Sequence, residues 1–285
     1  MCLLVQGLAV SVLLPRIGLA ADGATSNIVR ISVNYPRALS VVIDEIRRRH
    51  GVAISYEDPP YEYPGDVVDV TQWVRRDLDQ FPDGQAPPVV FPRMCRFQTE
   101  YEVDPVTGDP TNLMDTLRTV VSAYNSGDNP GKFKVENLPL GPCIVPTQVR
   151  DVRGEWRNVQ PLLSTPISLD FTNVSNRRAL SAFLSVLGSN TTVEVIGSAV
   201  MQERGGLSIM VENEAARAVL TRLLQDPAYG GVHNFWNFNY GPKPQCWVLN
   251  LNRAVRGPVH NLGEPEWAVP MRTSGAHRAG AELGR

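Results

Sequence analysis

A duplication constrains this chain more than any other feature of its sequence, because a unit that occurs twice must be able to close its own core twice. Residues 37–40 read RALS and open RALSVVIDEIRRRHG; residues 178–181 read RALS again and open RALSAFLSVLG. Leu39, Val42, Ile43 and Ile46 fall at i, i+3, i+4 and i+7, and so do Leu180, Phe183, Leu184 and Leu187. That spacing lines one stripe of a helix. Each helix is expected to stop at a glycine, Gly51 or Gly188, where a left-handed cap is wanted. A second pair of stripes follows: Leu113, Leu117, Val120 and Tyr124 in the first copy, Ala216, Val219, Leu220 and Leu223 in the second. Alternating apolar runs flank every helix, and each copy ends on a Gly-Pro and a cysteine, in GPCIVPTQVR (141–150) and GPKPQCWVLNLNR (241–253).

The fold class read from this pattern is α+β: two tandem βαβ-βαββ domains, each with two helices packed against small sheets. The copies are offset by 141 residues at Arg37 and Arg178, by 103 at Leu117 and Leu220, and by 100 at Gly141 and Gly241. Of 41 extra residues in the first copy, 38 therefore lie between its two helices, as an insertion at about 57–92. The organisation expected is a signal peptide over 1–21, a first domain over 27–150, a linker over 151–165, a second domain over 166–252 and a mobile tail over 253–285.

The second copy carries a family resemblance. ISLDFTNVSNRRALSAFLSVLGSNTTVEVIG, then LSIMVENEAARAVLTRLLQ, then FWNFNYGPKPQCWVLNL is similar to the short N-terminal domain shared by secretins and TonB-dependent receptors. The likeness covers 166–252 and, more loosely and with the insertion, 27–150. It implies a periplasmic docking module of two helices between small sheets, with no catalysis of its own. No plug, barrel or secretin body follows in this sequence, which sets it apart from those receptors and channels.

Charge and composition narrow the function classes. The formal net charge of -2 and pI near 6.1 supply no basic field for phosphates, so nucleic acid is not an expected partner. The start, MCLLVQGLAVSVLLPRIGLAADGATS, has the short apolar run and small-residue flank of a secretory signal, too short to span a bilayer. The expected location is periplasmic or secreted, with no membrane span after cleavage.

Candidate chemistry is sparse. No HExxH, GxSxG, phosphate loop or paired CxxC occurs, and no cofactor or metal is expected. His50 sits in a last helical turn, where capping explains an imidazolium; His233 stands near aromatic residues and could approach Cys246. Asp104 and Asp109, like Asp66 and Asp69, read as turn or cap residues before cation ligands. After signal cleavage Cys95, Cys143 and Cys246 remain, and Cys95 with Cys143 is the preferred disulfide because both belong to one domain.

The insertion offers most. It gathers Tyr61, Tyr63, Trp73 and Phe81 with eight carboxylates, while only Arg75 and Arg76 are local counter-charges. Trp73 is assigned to covering the domain's own core. Tyr61, Glu62, Tyr63, Asp66 and Asp69 are the candidate partner-binding residues, an acidic aromatic surface suited to a basic partner. The function read from all this is an exported, non-enzymatic docking protein of the bacterial cell envelope, whose partner is a protein or envelope component. The alternatives are a hydrolase using insertion carboxylates and a structural subunit of an envelope assembly.

Overall fold

The computed structural model describes residues 27–74, 86, 88–198, 205–227, 234–242 and 245–257, so the expected signal peptide, His233, Arg75, Arg76, Phe81 and the tail beyond 257 lie outside the described residues. The fold is α+β. In chain order the first copy runs β1 (Ile28–Tyr35), α1 (Ala38–His50), β2 (Ser55–Glu57), β3 (Val67–Asp69), α2 (Thr71–Val74), β4 (Val90–Pro92), β5 (Cys95–Glu102), α3 (Leu113–Ser126), β6 (Lys132–Leu138) and β7 (Gly141–Arg150). After β8 (Trp156–Asn158) the second runs β9 (Pro166–Val174), α4 (Asn176–Thr191), β10 (Glu194–Ser198), β11 (Leu207–Ala215), α5 (Ala216–Gln225), β12 (Asn234–Gly241) and β13 (Cys246–Arg253).

Strand pairing repeats with the sequence. β1 pairs antiparallel with β5, and β9 with β11. In the first copy β2 lies parallel to β7 and β6 antiparallel to it; in the second β10 lies parallel to β13 and β12 antiparallel to it. The two three-stranded sheets then join edge to edge through parallel pairing of β12 with β2, giving the order β10-β13-β12-β2-β7-β6, with β8 on β7. Strand directions in the second half are reversed while the lateral order is kept. The halves are thus related by a half-turn about an axis lying across the strands, which also turns the second sheet over.

Side-chain parity confirms that inversion. Tyr56 and Ile144 face a core made with α1, α3 and the β1–β5 ribbon, including Leu39, Val42, Ile43, Leu117 and Tyr124. Their neighbours Cys143 and Val145 face the other way, into a core with Leu180, Phe183, Leu220, Trp236 and Phe238. Each repeat keeps its own helices, yet one continuous sheet separates them.

The seam is ionic. Asp58, fully buried, accepts from Tyr56 Oη and Tyr61 Oη at 2.9 Å each, from Arg37 Nε at 2.5 Å and from the Tyr240 backbone N–H at 3.1 Å. Arg37 also donates to Tyr240 O, and it holds a left-handed φ of 54° that those two partners fix. Arg47 of α1 crosses to the second copy, donating to Asn237 Oδ1 at 2.8 Å with its guanidinium 4.1 Å from the Phe235 ring. From the opposite face Arg217 of α5 bonds Glu57 Oε2 at 2.7 Å and Glu136 Oε2 at 2.9 Å, while the Leu163 N–H donates to Glu57 Oε1.

Three expectations change here. Residues 151–165 are integral to the fold: β8 pairs with β7, and Leu163 is fully buried in the second core. Helix α4 runs through Gly188 to Thr191 and ends at Thr192, which takes the left-handed cap with φ 57°; Gly51 does cap α1, at φ 66°. The first stretch of the tail is placed, with Arg256 paired to Asp109 and the Gly257 N–H donating to Arg48 O.

Candidate functional site

The expected recognition residues divide sharply by environment. Tyr61 is 6% exposed and packs in the second core, its hydroxyl on Asp58. It is a core residue, because it lies in the cluster that Cys143 and Val145 of the first copy's sheet form with the second copy's helices. Glu62 is exposed and pairs with Arg157 of β8. Asp69 is exposed and accepts from the Thr71 N–H at 2.9 Å, a local cap for α2. Asp66 is buried, with Arg93 Nε and Arg150 Nη1 each 3.5 Å from Oδ1. Burial pushes its carboxyl above the usual value, against the pull of both arginines.

The acidic surface read from the sequence is therefore neutralised. Its counter-charges come from far along the chain: Arg93 follows β4, Arg150 ends β7 and Arg157 lies in β8, and the first two also share Asp128 at 3.0 and 2.6 Å. Local sequence windows could not show them. Tyr63 does stay partly exposed, seated on two glycines. A Cβ on Gly65 would lie 2.4 Å from its ring and one on Gly154 3.2 Å.

Around Tyr63 the chain assembles a surface that sequence reasoning missed. Trp156 is 38% exposed, with the Arg150 guanidinium 4.8 Å and the Lys132 ammonium 4.9 Å from its ring centroids; Arg150 also lies 5.7 Å from the Tyr63 ring. β7 causes this, since Arg150 pairs in register with Trp156 and Gln148 with Lys132. The only available signal was an aromatic set among charges in the linker stretch GEWRN. Aromatic and arginine side chains held together at a half-exposed corner are the material of interface hot spots.

The other candidates are accounted for in place. Cys95, Cys143 and Cys246 are all free and buried. The expected Cys95–Cys143 bridge does not form because the two thiols face different cores across the sheet. Burial pushes all three thiols up, Cys143 the furthest. Asp104 accepts from the Val106 and Thr107 N–H groups of its own turn.

His50 lies at 3.1 Å from Asp109 through Nδ1 and 2.8 Å from Tyr101 Oη through Nε2. A neutral ring satisfies both contacts, with Nδ1–H donating to Asp109 and Nε2 accepting from the phenol. Burial, aided by Arg256 and Arg49, outweighs Asp109 and lowers its pKa. The charged cap expected of His50 is replaced by a neutral bridge from α1 to the β5–α3 connection. Among the described residues no helix is long and apolar enough to cross a membrane. Comparison with family models, with curated proteins and with solved structures gave no match.

Proposed function

We propose that the chain is an exported, non-enzymatic docking protein of the cell envelope that binds a protein partner through the corner formed by Trp156, Tyr63, Arg150 and Lys132. The observation that carries this is the half-exposed Trp156 held between two cations. Holding an indole outward in a fixed orientation prepays ordering entropy that a partner would otherwise have to meet. The doubled α+β unit, with the order and turns of the secretin and receptor N-terminal domain, supports the docking role, and the short apolar start supports export.

Four cations, Arg93, Arg150, Arg157 and Lys132, face three carboxylates, Glu62, Asp66 and Asp128, so the corner selects by shape and aromatic contact more than by net charge. A photo-crosslinking amino acid at position 156, expressed in the native host, should give one dominant adduct with an envelope protein. The same group at Val106, 90% exposed on a distant turn, should not. Equal labelling from both positions, or none from 156, would reject the corner.

A further inference from the structure

The β1–β5 ribbon has an open side. Val103 donates its N–H to Asn27 O, and the register Tyr101↔Val29, Thr99↔Ile31, Phe97↔Val33 continues from there. In an antiparallel ladder this alternation points the backbone groups of Arg96, Gln98, Glu100 and Glu102 away from β1. No described strand pairs with them. Beside that edge runs α3, and between the two lie hollows of about 450 Å³ and 410 Å³. The first is lined by Tyr101, Glu102, Thr116 and Thr119; the second has Cys95, Phe97 and Ala123 with the Arg93–Asp128 ion pair at its rim. Because α3 is antiparallel to β5, the hollows follow one trough along the strand. Between them in sequence sits Thr99, buried, its Oγ1 without a hydrogen-bond partner.

We infer that this trough accepts an extended peptide from a partner protein, added as a third, antiparallel strand on β5. Strand addition draws affinity from main-chain bonds and specificity from alternate side chains. Residues opposite Phe97 and Tyr101 would enter the two hollows and should be aliphatic. The one opposite Thr99 should be Ser or Thr, supplying the missing hydroxyl contact. Charge sets direction: Glu102 calls for a basic residue at the peptide's start and Arg96 for an acid at its end, while Glu100 is already paired with Arg30. The expected motif is basic, aliphatic, any, Ser or Thr, any, aliphatic, acidic. This rests on the docking reading; the hollow at Phe97 borders the charged rim of the Trp156 corner through Arg93 and Asp128, but Trp156 lines neither hollow.

The test titrates the full-length protein with the peptide Lys-Val-Lys-Thr-Gln-Val-Glu and follows amide exchange by NMR. The amides of Arg96, Gln98, Glu100 and Glu102 should slow at least tenfold, while those of Phe97, Thr99 and Tyr101, already bonded to β1, should stay unchanged. The double variant Arg96→Glu, Glu102→Lys, both on the exposed face, should lose at least tenfold in affinity for this peptide and gain it for Glu-Val-Lys-Thr-Gln-Val-Lys. Absence of any shift on titration, shifts clustered elsewhere, or four edge amides already protected in the free protein by its own chain would each overturn the inference. Trp156→Ala should leave the peptide response intact, so the groove and the corner can fail separately.

Discussion

Tyr61 shows how far a residue's fate depends on partners that its own neighbourhood in sequence does not contain. Set among prolines and acids, it reads as a surface ring, yet it is buried with its hydroxyl on Asp58. Tyr61→Ala should therefore cost about 3–5 kcal/mol in denaturant unfolding, in the range for truncating buried aromatics. Tyr63→Ala, on a half-exposed ring, should cost well under half of that. A Tyr61→Ala variant with an unchanged midpoint would contradict the packing. His50 makes a prediction in pH. Its folded pKa lies below the ordinary value of 6.5, so the unfolded chain binds the proton more readily. Its contribution to stability is complete above 6.5 and is lost as pH falls through the folded value. Unfolding at pH 7 and pH 5 should show a smaller loss on acidification in His50→Gln than in the parent.

At the scale of elements, the two glycines that look alike in sequence behave oppositely. Gly51 takes φ 66° at the end of α1, whereas Gly188 sits inside α4. Gly51→Ala should destabilise by about 1–2 kcal/mol, the cost of a Cβ at a left-handed φ. Gly188→Ala gains about 1 kcal/mol of helix propensity, offset by a Cβ placed 3.2 Å from Val193 O, and should come out near neutral. Thermal melts of the two variants decide it. Helix stripes and strand alternation made most elements legible, because periodicity reports the face an element buries. What stayed hidden was anything set by pairing across sequence distance. β8, the arginines that neutralise the insertion and the opposed directions of Cys95 and Cys143 all follow from which strand lies beside which. Tyr63 was recoverable from its own window; Trp156 was not, because Lys132 and Arg150 meet it only once β7 is paired on both sides.

For the whole molecule the seam dominates. Glu57, with no exposed side-chain area, depends on Arg217 from the other copy, and burial holds its carboxyl above its ordinary pKa despite that partner. Arg217→Met should cost about 3–5 kcal/mol by leaving a buried carboxylate unpaired, and adding Glu57→Gln should recover much of it. Calorimetry of the parent should show one transition, because neither half can unfold without exposing the other's charges. A parent that melts in two separated steps would argue against the shared sheet.

The inverted junction also bears on how the chain is made. Read by register against the closing strands, Ile196 and Gly197 stand where Glu57 and Asp58 stand, and the RALS repeat places Gly188 where Arg47 stands. Of the charges that bind the halves, all but Arg217 occur on the half synthesised first. Until the ribosome delivers residues 234–241, Arg37, Arg47 and Asp58 beside the waiting edge of β2 lack their partners there, a polar face that a stray strand would have to strip of water. The nascent first half is thereby protected against the wrong neighbour by the same groups that later select the right one.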